Sequence, residues 1–321
     1  MIHSHSLDEL SLHNAWLTIG IFDGVHRGHQ EILRRLVTGA HLAGAPAVVL
    51  TFSPHPAVVL GGNKEFKSLT TLDERHALLE SFGVDVVITQ TFDRTFADQT
   101  AVDFLGRVSR TLGLTHLFIG YDTALGRGRE GDAARLDVIG KELGYSLQVI
   151  PPLSDEQGVI SSTRIRKSIS EGNVSAAARD LGRFYDLTGS ILHGDGRGHR
   201  INVPTANLSI PGDKIIPANG IYACRAWLGS SLNGKGKDSW KGEGFMAATN
   251  VGVRPTFTPD LTAPAVEAHL LDFDRDIYGQ NLRLDFVEYL RPEEKFDTVD
   301  SLVEQIRVDI ANVRQILVKT G

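Results

Sequence analysis

Residues 17–33 read LTIGIFDGVHRGHQEIL. An apolar run ends at Gly20, a turn carries Asp23-Gly24, and His26-Arg27-Gly28-His29 opens a stretch of helical spacing. Strand, glycine turn and helix in that order predict the first unit of a parallel sheet. Residues three apart share a helix face, so both imidazoles project the same way from the first turn. The free N–H groups and positive dipole end of that turn attract phosphate. Gly24 and Gly28 let backbone approach a ligand with no side chain between. An isolated His-x-x-His is more often two unrelated surface histidines, and this chain has 12 histidines. The strand, turn and helix around this pair favour a phosphate site, where imidazoles stabilise charge gathering on a departing group. A zinc site finds no cysteine or second ligand pair beside them.

The same alternation continues outward. Strands are predicted at Trp16–Gly20, Ala47–Phe52, Val84–Thr89, His116–Gly120 and Ser146–Ile150, with helices near His29–Ala43, Leu72–Phe82, Ala101–Leu112 and Asp132–Leu143. That pattern predicts an α/β Rossmann-like domain with a parallel sheet, whose ligands sit at the carboxyl ends of the strands. After Pro151-Pro152 comes a helical stretch, and from about Phe184 the texture changes to short β-like runs: LTGSILHG, GIYACRAWL, GFMAATNVGV, AVEAHLLDF and NLRLDFVEYL. These predict a small β-barrel or sandwich. Leu302, Ile306, Ile310, Val313 and Leu317 follow at helical spacing, so a C-terminal helix closes the domain. The expected domains are residues 1–183 and 184–321. The segment Gly229–Gly244 reads as a flexible hairpin loop.

Composition narrows the class. The 321 residues include 33 basic and 39 acidic ones, a net charge of -6, which argues against a general nucleic-acid binder. One cysteine, Cys224, excludes an intramolecular disulfide. No stretch approaches the ~20 apolar residues of a membrane span. The segment MIHSHSLDELSLHN lacks the basic and apolar regions of a signal peptide. A cytoplasmic protein without membrane or nucleic-acid partners is the expectation.

A second motif, Ile160-Ser161-Ser162-Thr163-Arg164-Ile165-Arg166, follows the fifth strand. Its hydroxyls suit a helix cap or a phosphate, and arginine grips phosphate with a fork of donors. Gly126-Arg127-Gly128-Arg129-Glu130-Gly131 fits the dinucleotide fingerprint Gly-x-Gly-x-x-Gly and raises an NAD-type oxidoreductase as an alternative. Its first glycine comes six residues after the strand end at Gly120, so the tight strand-to-helix turn is missing, and no acidic residue ends the next strand.

The His-x-Gly-His and Ser-Ser-Thr-x-x-Arg pair resembles the nucleotidyltransferase superfamily, and most closely its bacterial FAD synthetase branch; Thr51-Phe52-Ser53-Pro54-His55-Pro56 resembles it too. That resemblance implies that His26 and His29 contact ATP phosphates, with Arg166 as a further catalytic residue. It implies nucleotide contacts from Gly20, Phe22, Asp23, Gly24, Asp122, Ser162, Thr163 and Arg164. The family's Gly-x-Asp/Asn-Phe-x-Phe-Gly stretch departs here, with Thr123 and Leu125 replacing both aromatics.

The second half is similar to riboflavin kinase, which is fused to the adenylyltransferase in these enzymes. HGDGRGHRINVPTANL, NGIYA, TNVGVRPTF, VEAHLLDFDRDIYG and LRPEEKF occur in the family's order. The resemblance implies Mg²⁺ at Thr205 and Asn207, nucleotide contacts from Gly194, Arg197 and Asn207, and Glu267 as catalytic base. The chemistry agrees, since Mg²⁺ takes oxygen ligands and a carboxylate can accept the proton of an attacking hydroxyl. Along the strand, Glu267 and His269 share one face, and Val266, Ala268 and Leu270 the other. Asn202-Val203 replaces the family's Gly-Phe/Tyr. No Gly-x-x-x-x-Gly-Lys-Ser/Thr loop is present, so P-loop kinase chemistry is not the explanation. The implied activity is phosphorylation of riboflavin to FMN, then adenylylation of FMN to FAD, with ATP as co-substrate of both. The alternatives are a chain keeping only one activity, or an inactive flavin- or nucleotide-binding regulator.

Overall fold

Six strands order the first half: β1 (Ile2–Ser4), β2 (Ala15–Ile19), β3 (Ala47–Ser53), β4 (Val86–Thr91), β5 (Leu114–Gly120) and β6 (Ser146–Ile150). They form one sheet in the order β1-β4-β3-β2-β5-β6, with every pairing parallel. The computed structural model describes residues 1–61, 65–193, 201, 203–229, 243–255 and 262–320. By packing they form two compact units, the first from Met1 to Ser161 and the second from Ser162 onward.

In the first unit the helices are α1 (Arg27–Leu42), α2 (Pro56–Gly61), α3 (Leu72–Ser81), α4 (Arg94–Ala97), α5 (Ala101–Leu112) and α6 (Ala133–Leu143). Strand β3 buries both of its faces, as a central parallel strand must. One core joins Leu17, Leu50 and Ile88 to Leu105 and Leu136; another joins Leu33 and Leu36 of α1 to Val49 and Val87. The chain leaves β2 toward β3 on one side and later returns to β5 on the other. The crevice at the carboxyl ends of β2 and β5 is therefore the topological switch point, where such sheets bind ligands. A small hairpin, β7 (Ser154–Asp155) with β8 (Gly158–Val159), follows.

The second unit opens with α7 (Ser162–Ser170) and α8 (Val174–Leu181), which pack on each other, α8 also lying against the barrel. The texture change read at Arg183–Phe184 and the division by packing at Ser161–Ser162 thus differ by these two helices. Strands β9 (Tyr185–Leu192), β10 (Ala206–Ser209), β11 (Gly220–Leu228), β12 (Glu243–Pro255), β13 (Thr262–Leu270) and β14 (Asn281–Arg291) close a barrel in the order β10-β13-β12-β11-β14-β9. Tyr222, Cys224, Ala247, Ala268, Leu284 and Phe286 are fully buried. Outside the barrel, Val313 and Leu317 of the closing helix α9 (Val299–Lys319) pack on Ala223 and Val287. The ion pair of Arg291 with Asp309, at 2.7 Å, pins that helix to β14.

Candidate functional sites

Phe22, Gly24 and Val25, in the loop from β2 to α1, take left-handed backbone with φ of 53°, 77° and 38°. Such conformations are costly for Phe and Val, and strain of this kind collects at ligand-binding loops. Neighbours hold it in place. The Asp23 carboxylate is buried and accepts from the Leu69 and Thr70 N–H groups and from the Thr70 hydroxyl, at 3.0–3.2 Å. The Gly24 N–H donates to the Thr70 hydroxyl at 3.1 Å. These contacts of Asp23 brace the loop against the segment that enters α3. Gly20, just after β2, lies in close contact with the Phe22 ring, and an added Cβ would lie 3.2 Å from it.

His26 caps α1, its Nδ1 accepting from the His29 N–H at 3.4 Å. The two imidazoles stack with centroids 3.7 Å apart, and the Phe22 ring lies 5.0 Å from His29. The sequence expectation that both rings share one face of the first turn is met. The His29 Nδ1 is buried and has no hydrogen-bond partner among the described residues. Burial, then His26 and Arg75, push the His29 pKa well below the usual imidazole value, so the ring is neutral at pH 7. Arg75 was not anticipated from the sequence. It is buried on α3, its guanidinium 3.5 Å from the Thr51 hydroxyl, which itself donates to the Ile21 carbonyl. Nothing in a helix reading LDERHALLES marks its one arginine as turning inward; the sheet beneath decides it.

Asp122 is exposed just beyond β5, and its carbonyl accepts from Arg129 at 2.7 Å. Leu125 packs against the core, pairing with Gly131. Two glycines of Gly-x-Gly-x-x-Gly serve close packing, since an added Cβ would meet Ala101 at 2.4 Å from Gly126 and at 2.7 Å from Gly131, while Gly128 has open space and a φ of 60°. This loop lies on the start of α5 and is no dinucleotide turn.

Ser162 and Thr163 form the first turn of α7. Arg164 reaches Asp180 of α8 through two contacts, at 2.8 and 2.9 Å, with Asp180 3% exposed. That pair clamps α7 to α8. Arg166 is partly exposed, 3.5 Å from the Thr163 hydroxyl.

In the barrel, Glu267 of β13 lies directly opposite Asn207 of β10. Directly opposed residues project from the same face with Cβ atoms about 5 Å apart. Val266, Ala268 and Leu270 are buried on the other face, as the alternation predicts. Two residues on, His269 Nδ1 lies 2.8 Å from the Pro204 carbonyl; a carbonyl only accepts, so Nδ1 carries the proton. Thr205 lines a cavity of about 350 Å³ with Ile191, Leu270, Phe273, Arg275 and Tyr278. A hydroxyl and an amide oxygen are oxygen donors of the kind Mg²⁺ takes, alongside water and substrate phosphate. Gly194, Arg197, Asn202 and most of the Gly229–Gly244 loop lie outside the described residues.

Two family models divide the chain: FAD synthetase matches residues 8–164 and riboflavin kinase residues 181–317. A bifunctional riboflavin kinase/FMN adenylyltransferase of Listeria monocytogenes is 31% identical over 318 residues, covering 99% of this chain and 97% of that protein. The chain belongs to the bifunctional riboflavin kinase/FMN adenylyltransferase family. A Haemophilus influenzae member of this family is 35% identical, over 93% of this chain and 92% of its own. A crystal structure described as a macrolide-efflux protein from Streptococcus pneumoniae superposes with a TM-score of 0.86 at 30% identity, covering 98% of both chains. Among the described residues of this family member, no helix is long and apolar enough to cross a membrane.

Proposed function

We propose that this chain phosphorylates riboflavin to FMN in its barrel and adenylylates FMN to FAD in its N-terminal domain, with ATP as substrate of both steps. The observation that carries the reading is the presence in one chain of both sites: the stacked His26–His29 pair on the first turn of α1 and the Glu267–Asn207 pair across β13 and β10. We assign adenylyl transfer to residues 1–183 and the kinase to residues 184–321.

In the first site, a phosphate oxygen of FMN attacks the α-phosphorus of ATP, and the bond to the β-phosphate oxygen breaks to release pyrophosphate. His26, His29 and the N–H groups opening α1 stabilise the charge that gathers on the leaving group. From their motif alone we assign ATP phosphate contacts to Ser162, Thr163 and Arg166. The braced Gly20–Gly24 loop shapes the nucleotide site.

In the barrel, the riboflavin 5′-hydroxyl attacks the γ-phosphorus of ATP, its proton passes to Glu267, and ADP leaves. Thr205 and Asn207 would hold Mg²⁺, which neutralises phosphate charge when bound. His269 fixes the Pro204 carbonyl and with it the backbone entering Thr205. The compartment we assign is the cytoplasm, because the lone Cys224 leaves no disulfide for an oxidising compartment to form.

The test is to incubate the purified protein with ATP and Mg²⁺, in parallel with riboflavin and with FMN, and to separate the flavins. FMN and FAD from riboflavin, with FAD from FMN, is the expected result. FAD from FMN but no product from riboflavin would remove the kinase assignment, and FMN alone would remove the adenylyltransferase.

A further inference from the structure

We propose that Asn250 sets substrate specificity in the kinase site, its side-chain oxygen accepting a hydrogen bond from a secondary hydroxyl of the ribityl chain. The proposal rests on the riboflavin-phosphorylating reading of the barrel. Asn250 of β12 lies directly opposite Glu267 of β13, as Asn207 does from the other side. Opposed residues share a face, so Asn207, Glu267 and Asn250 form one polar row across three strands. Their neighbours Ala206, Leu208, Thr249, Val251, Val266 and Ala268 are all buried on the opposite face.

Within this row the Asn250 Oδ1 is buried and has no hydrogen-bond partner among the described residues. A buried acceptor left unpaired carries the full cost of its lost hydration. That cost is recovered if the partner arrives with a ligand. An amide oxygen accepts and does not donate, so the partner must bring a donor. Glu267 places the 5′-oxygen of the flavin at the centre of the row, and Asn250 stands one strand spacing away, about 4.8 Å. A hydroxyl one or two carbons further along the ribityl chain spans that interval and carries the required donor. A site built to hydrogen-bond a hydroxyl discriminates against the analogue lacking it, because the protein group is then left unpaired.

The experiment compares wild type and N250A for riboflavin and for flavins whose ribityl chain lacks the 3′- or the 4′-hydroxyl. Binding is read by quenching of flavin fluorescence, which needs no turnover, and phosphorylation is followed separately. Wild type is expected to bind one deoxy analogue about tenfold to a hundredfold more weakly than riboflavin. N250A is expected to bind riboflavin more weakly by a similar factor and to bind that analogue equally well. If N250A unfolds the barrel, N250S, which keeps a small polar side chain, takes its place. An unchanged preference between riboflavin and both analogues overturns the proposal. So does a variant that lowers only kcat, which would make Asn250 a positioning residue for Glu267, or one that alters only Mg²⁺ dependence. A wild-type protein that binds riboflavin without phosphorylating it would remove the kinase reading, while the binding comparison still decides Asn250.

Discussion

His29 is neutral, because burial and its neighbours His26 and Arg75 all disfavour the charged ring. A triphosphate placed beside it reverses that balance, since an anion within a few ångströms favours the protonated form. Nucleotide binding in this domain is therefore expected to take up protons, and its affinity to fall as pH rises. Calorimetry of ATP binding by E267Q, in buffers of different ionisation heat, measures the uptake; it should shrink when H29Q is added to that background. Full uptake in the double variant would show that His29 is not the titrating group. For catalysis, H29A should lower FAD formation about 10²- to 10³-fold, the scale of one lost charge-stabilising donor. FMN should then accumulate from riboflavin. In the barrel, E267Q keeps the shape of the side chain and loses the base, so FMN formation should fall about 10²- to 10⁴-fold with FMN adenylylation unchanged. Loss of both activities in either variant would contradict two separate sites. His26 and His29 could be picked out in the sequence from a short local motif, and Glu267 from the family's ordered segments around it. Asn250 and Arg75 could not, since an asparagine in a strand and an arginine in a helix acquire meaning only from what lies across from them.

At the scale of elements, the junction of β1, β4 and α3 carries a pH response of its own. His3 of β1 and His76 of α3 both place Nε2 on the Thr89 hydroxyl of β4, at 3.0 and 2.9 Å. One hydroxyl donates to one ring and accepts from the other, which requires an acceptor nitrogen on a neutral imidazole. Burial, then His3, Arg75 and His5, lower the His76 pKa to about 4. The unfolded chain takes up this proton near pH 6.5 and the folded unit only near pH 4, so stability is lost as pH falls through that window. Thermal unfolding of the N-terminal unit should shift downward between these pH values, and H76Q should flatten the dependence. An identical pH profile in H76Q would exclude His76 as the source. Element type was well marked along the chain. The five strands and four helices expected in the first half all form, and β11 spans Gly220–Leu228 as its apolar run indicates. Strand β1 was missed because MIHSHSL has no apolar run; parallel pairing with β4 makes it a strand. The Pro204–Leu208 stretch drew attention for its motif, and its strand β10 owes its existence to pairing with β9 and β13.

For the whole molecule, the two sites should behave as separate catalysts joined by a released product. H29A supplies FMN and E267Q consumes it, so an equimolar mixture of the two variants should form FAD from riboflavin when neither does so at the wild-type rate alone. Failure of the mixture, with each variant retaining its own half-reaction, would show that FMN does not travel between molecules. What the sequence by itself determined is the class of each half, because hydrophobic period and turn residues are local and fix strand, helix and their order. It also determined the chemistry on offer, since histidines at a helix start are legible in a short window and the ordered family segments mark Glu267. Only the tertiary structure decided which residues meet. Strand register put Asn207 and Asn250 on either side of Glu267, and packing gave Arg164 to Asp180. Those outcomes depend on contacts between separate elements, where the energy lies in pairing and burial, and no local pattern of residues encodes a partner on another strand or helix.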